Sequence, residues 1–345
     1  MNTEYDTDAI CAAEYIPWEA LRNRTVFITG ATGLIGKNLV WGLLDVNRVK
    51  KLNIRMIALV RNEKKAEELF GSAVELVVGE VENIPPITAA VDYVIHAAGP
   101  TSSRYFVDRP VETLTTLLNG CKSVLALAKE KQVRGMVFLS TMEVYGYPQR
   151  GHKVTENELG VFAPTTIRNS YPLGKLLCEN LCCSYAAEYD VPVKIVRLTQ
   201  TFGPGVAYDD RRIFAEFARS VIENRNIILK TKGETERCYL YTADAVTAIL
   251  TVLLKGGNGE CYTAANPETY CSIAQMAGMV VNEIAEGKIA LSYDFGSAGF
   301  GYADMLYMDL DVSKLCSLGW SAKTDLITAY RKSIEYLRSE KQQAE

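Results

Sequence analysis

Tyr171 and Lys175 stand four positions apart in SYPLGKLLCENL, a spacing that puts both side chains on one face of a helix. A phenol of pKa about 10 is a poor base at neutral pH, but a neighbouring ammonium stabilises its phenolate. Such a pair can take the proton of an alcohol while a hydride leaves the same carbon. Thr141 closes the apolar run in FLSTMEVYG, where its hydroxyl can share that proton. Bonding its own loop backbone is the plainer use of a strand-end threonine. Glu143 adds a carboxylate for general acid or base work; taken alone it reads as a solvated loop charge. A Tyr-x-x-x-Lys spacing means little in isolation, and it gains weight here from its place downstream of a glycine turn.

That turn lies in residues 25–40, TVFITGATGLIGKNLV. Five β-prone residues run into Gly30, Gly33 and Gly36, after which Leu39, Val40, Leu43 and Leu44 recur at helical spacing. The pattern predicts a strand, a tight turn and a helix start. Gly30 can take the positive φ of the turn, Gly33 lets backbone approach a pyrophosphate, and Gly36 lets the helix pack on the strand. The unpaired first-turn amides then face the phosphates. A nucleoside-triphosphatase phosphate loop is excluded by spacing. Five residues separate Gly30 from Gly36 where four are required, and Asn38 stands where Ser or Thr would hold magnesium.

The elements that must position these groups alternate. Apolar runs at 54–60, 74–78, 91–96, 136–140 and 193–198 predict strands buried on both faces, with helices between them. The expectation is an α/β fold: a Rossmann-type doubly wound parallel sheet with a smaller C-terminal substrate-binding region. Residues 1–24 form an appendage docking Ile16, Trp18 and Leu21. Residues 25–198 form the dinucleotide-binding unit with the catalytic residues, and 199–345 the mainly substrate-binding region. Its stretches TFGPGVAYDDRR, KTKGETERCYLYTADAV and YTAANPETYCS read as loops. The longest helix, about 111–131, carries a stripe of Val111, Leu114, Leu118, Cys121, Leu125 and Ala128, and a second apolar side of Leu117, Val124 and Leu127. Two apolar sides suggest a partner subunit, hence a homodimer. A last amphipathic helix is expected at about 325–338.

Composition narrows the class. The chain has 345 residues and a net charge of −4, which gives no global footprint for nucleic acid or anionic membrane. Nine cysteines without CxxC pairs read as reduced thiols of a cytoplasmic protein, and two histidines make a metal site unexpected. The acidic N-terminus lacks an apolar signal region, and no stretch approaches the length of a membrane span.

GATGLIG, VIHAAG, LSTMEVYG, YPLGK, RLTQTFGPG, YLYTADAV and the late LGW occur in that order. The ordered set resembles an extended short-chain dehydrogenase/reductase of the nucleotide-sugar epimerase/dehydratase superfamily, over about 25–338. The resemblance implies that Gly30, Gly33 and Gly36, with Thr32, Leu34 and Ile35 between them, hold the pyrophosphate of a nicotinamide cofactor. It implies that Ala97, Ala98 and Gly99 line the cofactor's path, and that Tyr171, Lys175 and Thr141 act together with Asn119 in support. Arg237 resembles the arginine that grips a sugar nucleotide's diphosphate, and Arg212 is a second candidate, since guanidinium groups meet phosphate oxygens bidentately.

Within that superfamily, 4,6-dehydratases with a Thr-Asp-Glu motif use the aspartate as acid, and Met142 here has no proton to give. Decarboxylases acting on UDP-glucuronate and GDP-mannose-type dehydratases both resemble Thr-Ser-Glu, leaving the glutamate as the common element, and the decarboxylases carry an arginine three residues before the tyrosine, as Arg168 does. Gln200 replaces the usual asparagine at the sugar. NAD is the expected cofactor, with Glu80 in the place of the usual aspartate near the adenine. Arg61 stands where NAD-preferring members have an acid, and an arginine there can accept the 2′-phosphate of NADP. The implied activity is transient oxidation of a nucleotide-diphosphate sugar at C4, leading to decarboxylation or 4,6-dehydration, as in polysaccharide biosynthesis. Epimerisation at C4 is the alternative within the class. A non-catalytic nucleotide-binding scaffold is the alternative outside it, because fold alone does not give function.

Overall fold

A computed structural model of the chain describes residues 5–295 and 305–344. In chain order the helices are α1 (Thr7–Cys11), α2 (Leu34–Lys50), α3 (Glu63–Phe70), α4 (Ser103–Asp108), α5 (Pro110–Glu130), α6 (Ser170–Tyr189), α7 (Ile213–Ile222), α8 (Thr242–Lys255), α9 (Ile273–Met279), α10 (Ser313–Cys316) and α11 (Leu326–Ala344). The strands are β1 (Thr25–Thr29), β2 (Arg55–Val60), β3 (Glu75–Val78), β4 (Tyr93–His96), β5 (Gly135–Thr141), β6 (Lys153–Val154), β7 (Val193–Leu198), β8 (Gln200–Phe202), β9 (Ile227–Leu229), β10 (Glu236–Tyr241), β11 (Cys261–Ala264), β12 (Asn266–Ser272), β13 (Leu291–Tyr293) and β14 (Tyr307–Leu310).

Seven parallel strands form the main sheet in the order β11-β7-β5-β4-β1-β2-β3. This is the Rossmann arrangement, with helices on both faces and a reversal of strand order between β1 and β4. β1, β4 and β5 are buried along their whole length because helices cover both sides. α5 and α6 pack on one face, over Phe27, Val94, Phe138 and Ile195. α2 and α8 lie in the core of the other face, where residues 242–253 of α8 are all buried. The N-terminal segment seals that side: Ile10, Ile16, Trp18 and Leu21 are buried, and Tyr5 stacks on Trp41 at 5.9 Å.

Four sequence expectations differ from the fold, one being the stretch KTKGETERCYLYTADAV, which reads as loop but carries β10 and the start of α8. Residues 74–78 read as a strand buried on both faces, yet β3 is the edge strand and Glu75 and Val78 are exposed, since nothing pairs beyond it. The stretch YTAANPETYCS reads as loop but forms β11 and β12. β11 pairs with β7, which lies far away in sequence, so local patterning carries little trace of it. The stripe on α5 buries only its C-terminal part. Cys121, Leu125 and Ala128 are buried, whereas Val111 and Leu114 are 67% and 39% exposed; the second side, Leu117, Val124 and Leu127, is buried throughout.

A second sheet runs β12-β10-β14-β6, with β8 beside β10. It brings Gln200 and Arg237 to neighbouring strands and connects the C-terminal half to the ends of β5 and β7. No described helix is long and apolar enough to cross a membrane. Among the described residues, no cluster of three or more His, Cys, Asp or Glu could hold a metal ion.

Candidate active site

The glycine turn closes on the end of β4. Gly30 has φ +71°, and a Cβ there would stand 2.7 Å from the backbone of Ala97 and Ala98. A Cβ on Gly36 would lie 2.1 Å from the Gly30 carbonyl oxygen, so α2 starts against the turn at a distance only glycine allows. Gly33 caps α2, and the first-turn amides of Leu34, Ile35 and Gly36 have no intrahelical acceptor. Thr29 fixes the facing loop: its Oγ1 accepts from the Ala98 amide at 3.2 Å and lies 2.8 Å from His96 Nδ1. Burial, helped by the Lys175 charge, pushes the His96 imidazole down to about 3. A neutral ring therefore packs beneath the path formed by Ala97, Ala98 and Gly99.

The helix bearing the phenol is tied to the sheet by charge. Glu179 on α6 accepts from Arg197 of β7 at 2.7 Å and from Ser140 of β5 at 2.5 Å, all three buried. That anchor holds Tyr171 and Lys175, both buried, against the end of β5. Thr141 lowers the proton affinity of the Tyr171 hydroxyl, and its Oγ1 accepts from the Glu143 amide at 3.3 Å, the backbone bond read from the sequence. Lys175 Nζ donates to the Leu139 carbonyl at 2.6 Å and would lie 3.9 Å from a Cβ on Gly99.

Burial dominates the electrostatics of the phenol. Burial raises Tyr171 well above its ordinary value, with the Glu143 carboxylate adding to the rise; Thr141, Arg168 and Arg212 pull it down. The Lys175 ammonium donates to the Leu139 carbonyl, and its own affinity for the proton is lowered by burial. Arg168 and Arg212 are among the cations that favour the phenolate.

Arg168 and Glu143 pair at 2.9 Å, each about one-third exposed at the mouth of the crevice. Arg212 is held by Asp210 at 2.5 Å and caps α7. Arg237 reaches Gln200 Oε1 at 3.5 Å, while its buried Nε has no partner, a donor left for a ligand. Met142 is buried in a satellite core, out of the crevice. Asn119 is not brought in: it lies on the exposed face of α5. The face of α5 turned to Gly99 and Gly174 is carried instead by Leu117, two positions earlier and on the other side of the helix. Arg61 and Glu80 are exposed just beyond the ends of β2 and β3.

Sequence reasoning missed Phe106, whose ring stacks on Tyr171 at 4.1 Å. It sits on a six-residue helix too short for any periodic signal. A surface hollow of about 610 Å³ lies at the opposite end of the sheet, against Asn23, Arg24, Asn53 and Arg55, and holds none of these groups.

The residues fit a dinucleotide, since the turn at Gly30 and Gly36 is a cradle that any side chain would fill. A Rossmann sheet whose switch point carries a buried phenol and ammonium beside a threonine belongs to the dehydrogenase-like nucleotide-binding proteins. The profile of the NAD dependent epimerase/dehydratase family matches residues 26–265, and the chain belongs to that family. It is 28% identical to UDP-glucuronic acid decarboxylase 1 of Xenopus tropicalis, over 92% of this chain and 73% of that protein. UDP-glucuronic acid decarboxylase 3 of Arabidopsis thaliana is 27% identical over 77% of each. The fold matches UDP-glucose 4-epimerase of Thermotoga maritima, solved with UDP-glucose, at TM-score 0.77 and 21% identity, covering 92% of this chain and 99% of that one. It also matches dTDP-glucose 4,6-dehydratase of Bacillus anthracis, in complex with NAD, at TM-score 0.74 and 18% identity, covering 92% and 98%.

Proposed function

We propose that the chain oxidises a nucleotide-diphosphate sugar transiently at C4 and releases carbon dioxide from its C6 carboxylate, as a UDP-glucuronate decarboxylase does. The observation that carries this reading is the arginine-carboxylate pair, Arg168 with Glu143, at the mouth of the crevice above Tyr171. The decarboxylase relatives support it.

Gly30, Thr32, Gly33, Leu34, Ile35 and Gly36 would hold the pyrophosphate of the dinucleotide, and Ala97, Ala98 and Gly99 would line the way to its nicotinamide. When bound, that ring supplies the two-electron acceptor and donor that no side chain here can. Tyr171 Oη, as phenolate, takes the C4 hydroxyl proton, and Thr141 Oγ1 holds the same oxygen. Lys175 orients the cofactor ribose and keeps the crevice cationic. A ketone at C4 makes the sugar a β-keto acid, so the C5–C6 bond can break with its electrons passing to the C4 oxygen. Arg168 exchanges Glu143 for the substrate carboxylate and releases it as carbon dioxide leaves. Glu143, freed from Arg168, takes a proton from solvent and gives it to C5, and Tyr171 gives its proton back to the C4 oxygen as the ketone is reduced. Arg237, with its unpartnered Nε, and Arg212 bind the diphosphate, and Gln200 touches the sugar.

Buried Met142 counts against dehydration, because the position between Thr141 and Glu143 offers no acid. The exposed Val111 and Leu114 on α5, with Leu177 on α6, form an apolar face that a second copy would cover. Free thiols at all nine cysteines suit the cytoplasm. The test is to incubate the protein with UDP, dTDP, GDP and CDP sugars and weigh the products. A UDP-glucuronate product lighter by carbon dioxide supports the proposal. Loss of water from a neutral hexose instead, or an isomer, contradicts it.

A further inference from the structure

The turn after β8, residues 203–206, leads to the loop that carries Arg212, and the N-terminal segment braces it. Asn38, buried in α2, donates from Nδ2 to the carbonyls of Leu34 and Pro204, both at 2.9 Å. Gly205 has φ +93°, and a Cβ there would stand 3.0 Å from Asn38 Nδ2, 3.3 Å from the Tyr5 ring and 3.4 Å from Leu34 Cδ1. One glycine therefore packs between the helix turn that faces the dinucleotide and an aromatic ring from the start of the chain. Beyond it, Arg219 Nη1 donates to the carbonyls of Tyr208 at 2.7 Å and Asp210 at 2.5 Å, so the loop is tied at its tip as well as at its root.

Tyr5 is held as a core residue is. It is buried, stacks on Trp41 and tilts against Tyr336 at 5.7 Å, with the two hydroxyls 3.5 Å apart. Asp6 pairs with Lys332 of α11 and Thr7 donates to Asp45 of α2, so polar ties follow the ring directly. The turn itself has little to fix it: Gly205 has no side chain and the widest backbone freedom, and Pro204 has no amide to donate. We propose that Tyr5 is a positioning residue for the active site: its ring, with Asn38, holds residues 203–206 in the geometry that keeps Arg212 at the crevice and the turn on the first turn of α2. Tyr5 lies outside the residues that the family profile matches, so this brace is a feature of the chain beyond the family's core. The inference rests on the nucleotide-sugar reading above, in which Arg212 binds the diphosphate, and adds a residue to it.

Two readouts test this, one of them without turnover. Arg211, exposed, and Arg212 form a tryptic site in the loop. Brief trypsin digestion of the folded full chain, mapped by mass, should cut there at least about tenfold faster in Tyr5→Ala than in the wild type, because cleavage follows the population of the opened loop. Tyr5→Phe keeps the ring and should cut at the wild-type rate. In steady-state kinetics with the nucleotide sugar, Tyr5→Ala should raise KM by about tenfold and change kcat by less than about threefold, the mark of lost binding. Ile16→Ala is the control for lost packing. Ile16 follows Tyr15, whose carbonyl meets Lys255 at the far end of α8, whereas Gly203 abuts Thr242 at its start. That variant should melt lower yet keep both readouts at wild-type values. If Tyr5→Ala fails to fold, Tyr5→Leu, which keeps apolar bulk without the flat ring, is read in its place. Either readout unchanged in the Tyr5 variant, or changed equally in Ile16→Ala, overturns the inference. Absence of wild-type turnover with every nucleotide sugar removes the substrate reading instead, and an unchanged cleavage rate in the Tyr5 variant then still overturns the brace.

Discussion

The ring of Tyr171 lies flat on the ring of Phe106, centroids 4.1 Å apart and planes 5° from parallel. Phe106 is itself buried, and Arg168 places its guanidinium over the same ring at 4.9 Å. The phenol is therefore set between a strand-end threonine and an aromatic wall, and that wall causes much of the burial that holds its proton on. Arg168 and Arg212 act against that burial and favour the phenolate.

Replacing Phe106 with leucine should loosen the phenol without removing it. Turnover is expected to fall by about tenfold or more, since small misplacements at a reacting group are costly. KM should change less than kcat, because Phe106 acts through the position of the Tyr171 ring. Steady-state kinetics separate the two. Phe106→Ala should also lower unfolding stability by about 3–5 kcal/mol, as for other buried phenylalanines, read by urea denaturation.

Charges around Tyr171 predict opposite pH shifts. Glu143 raises the phenol's pKa and Arg168 lowers it. A base works only when deprotonated, so activity is lost as pH falls through that pKa. Glu143→Gln should move the acid limb of the kcat/KM profile to lower pH, and Arg168→Met should move it to higher pH. Shifts of the same sign in both variants would remove these charges from control of Tyr171.

Much of the fold was legible because the parallel strands are buried apolar runs, and the glycine turn has a spacing that few other structures share. The turn at Gly30 and the crevice pair Tyr171 and Lys175 follow from local pattern plus chain order. What stayed hidden depends on distant contacts. β11 reads as loop until it pairs with β7. Asn119 and Leu117 are two positions apart, and only the docking of α5 decides which faces the crevice. The Lys175 ammonium turns to the Leu139 carbonyl, a choice that spacing along α6 does not encode.

The glycine cradle predicts a sharp intolerance. Gly36→Ala puts a methyl 2.1 Å from the Gly30 carbonyl oxygen, which is backbone and yields only if α2 moves off β1. Dinucleotide binding should be lost and stability reduced by about 1–3 kcal/mol or more. A thermal melt and a dinucleotide titration on the same sample check both.

His96 predicts an acid weakness. It stays neutral in the fold, with its pKa pushed down to about 3, and takes up a proton at its ordinary value when unfolded. Its contribution is therefore complete above about pH 6.5 and declines as pH falls from there toward 3. Between pH 6.5 and 5 the loss is about 2 kcal/mol. Urea midpoints at pH 7.5 and 5 should fall closer together in His96→Asn than in the wild type. An unchanged interval would contradict the assignment.

The central claim is that Tyr171 Oη takes the C4 proton of the sugar. Its most direct test is the turnover of UDP-glucuronate by Tyr171→Phe, a change that keeps the ring on Phe106 and removes only the hydroxyl. The account predicts that dinucleotide binding persists and carbon dioxide release falls by at least about a thousandfold. Release at the wild-type rate would contradict it.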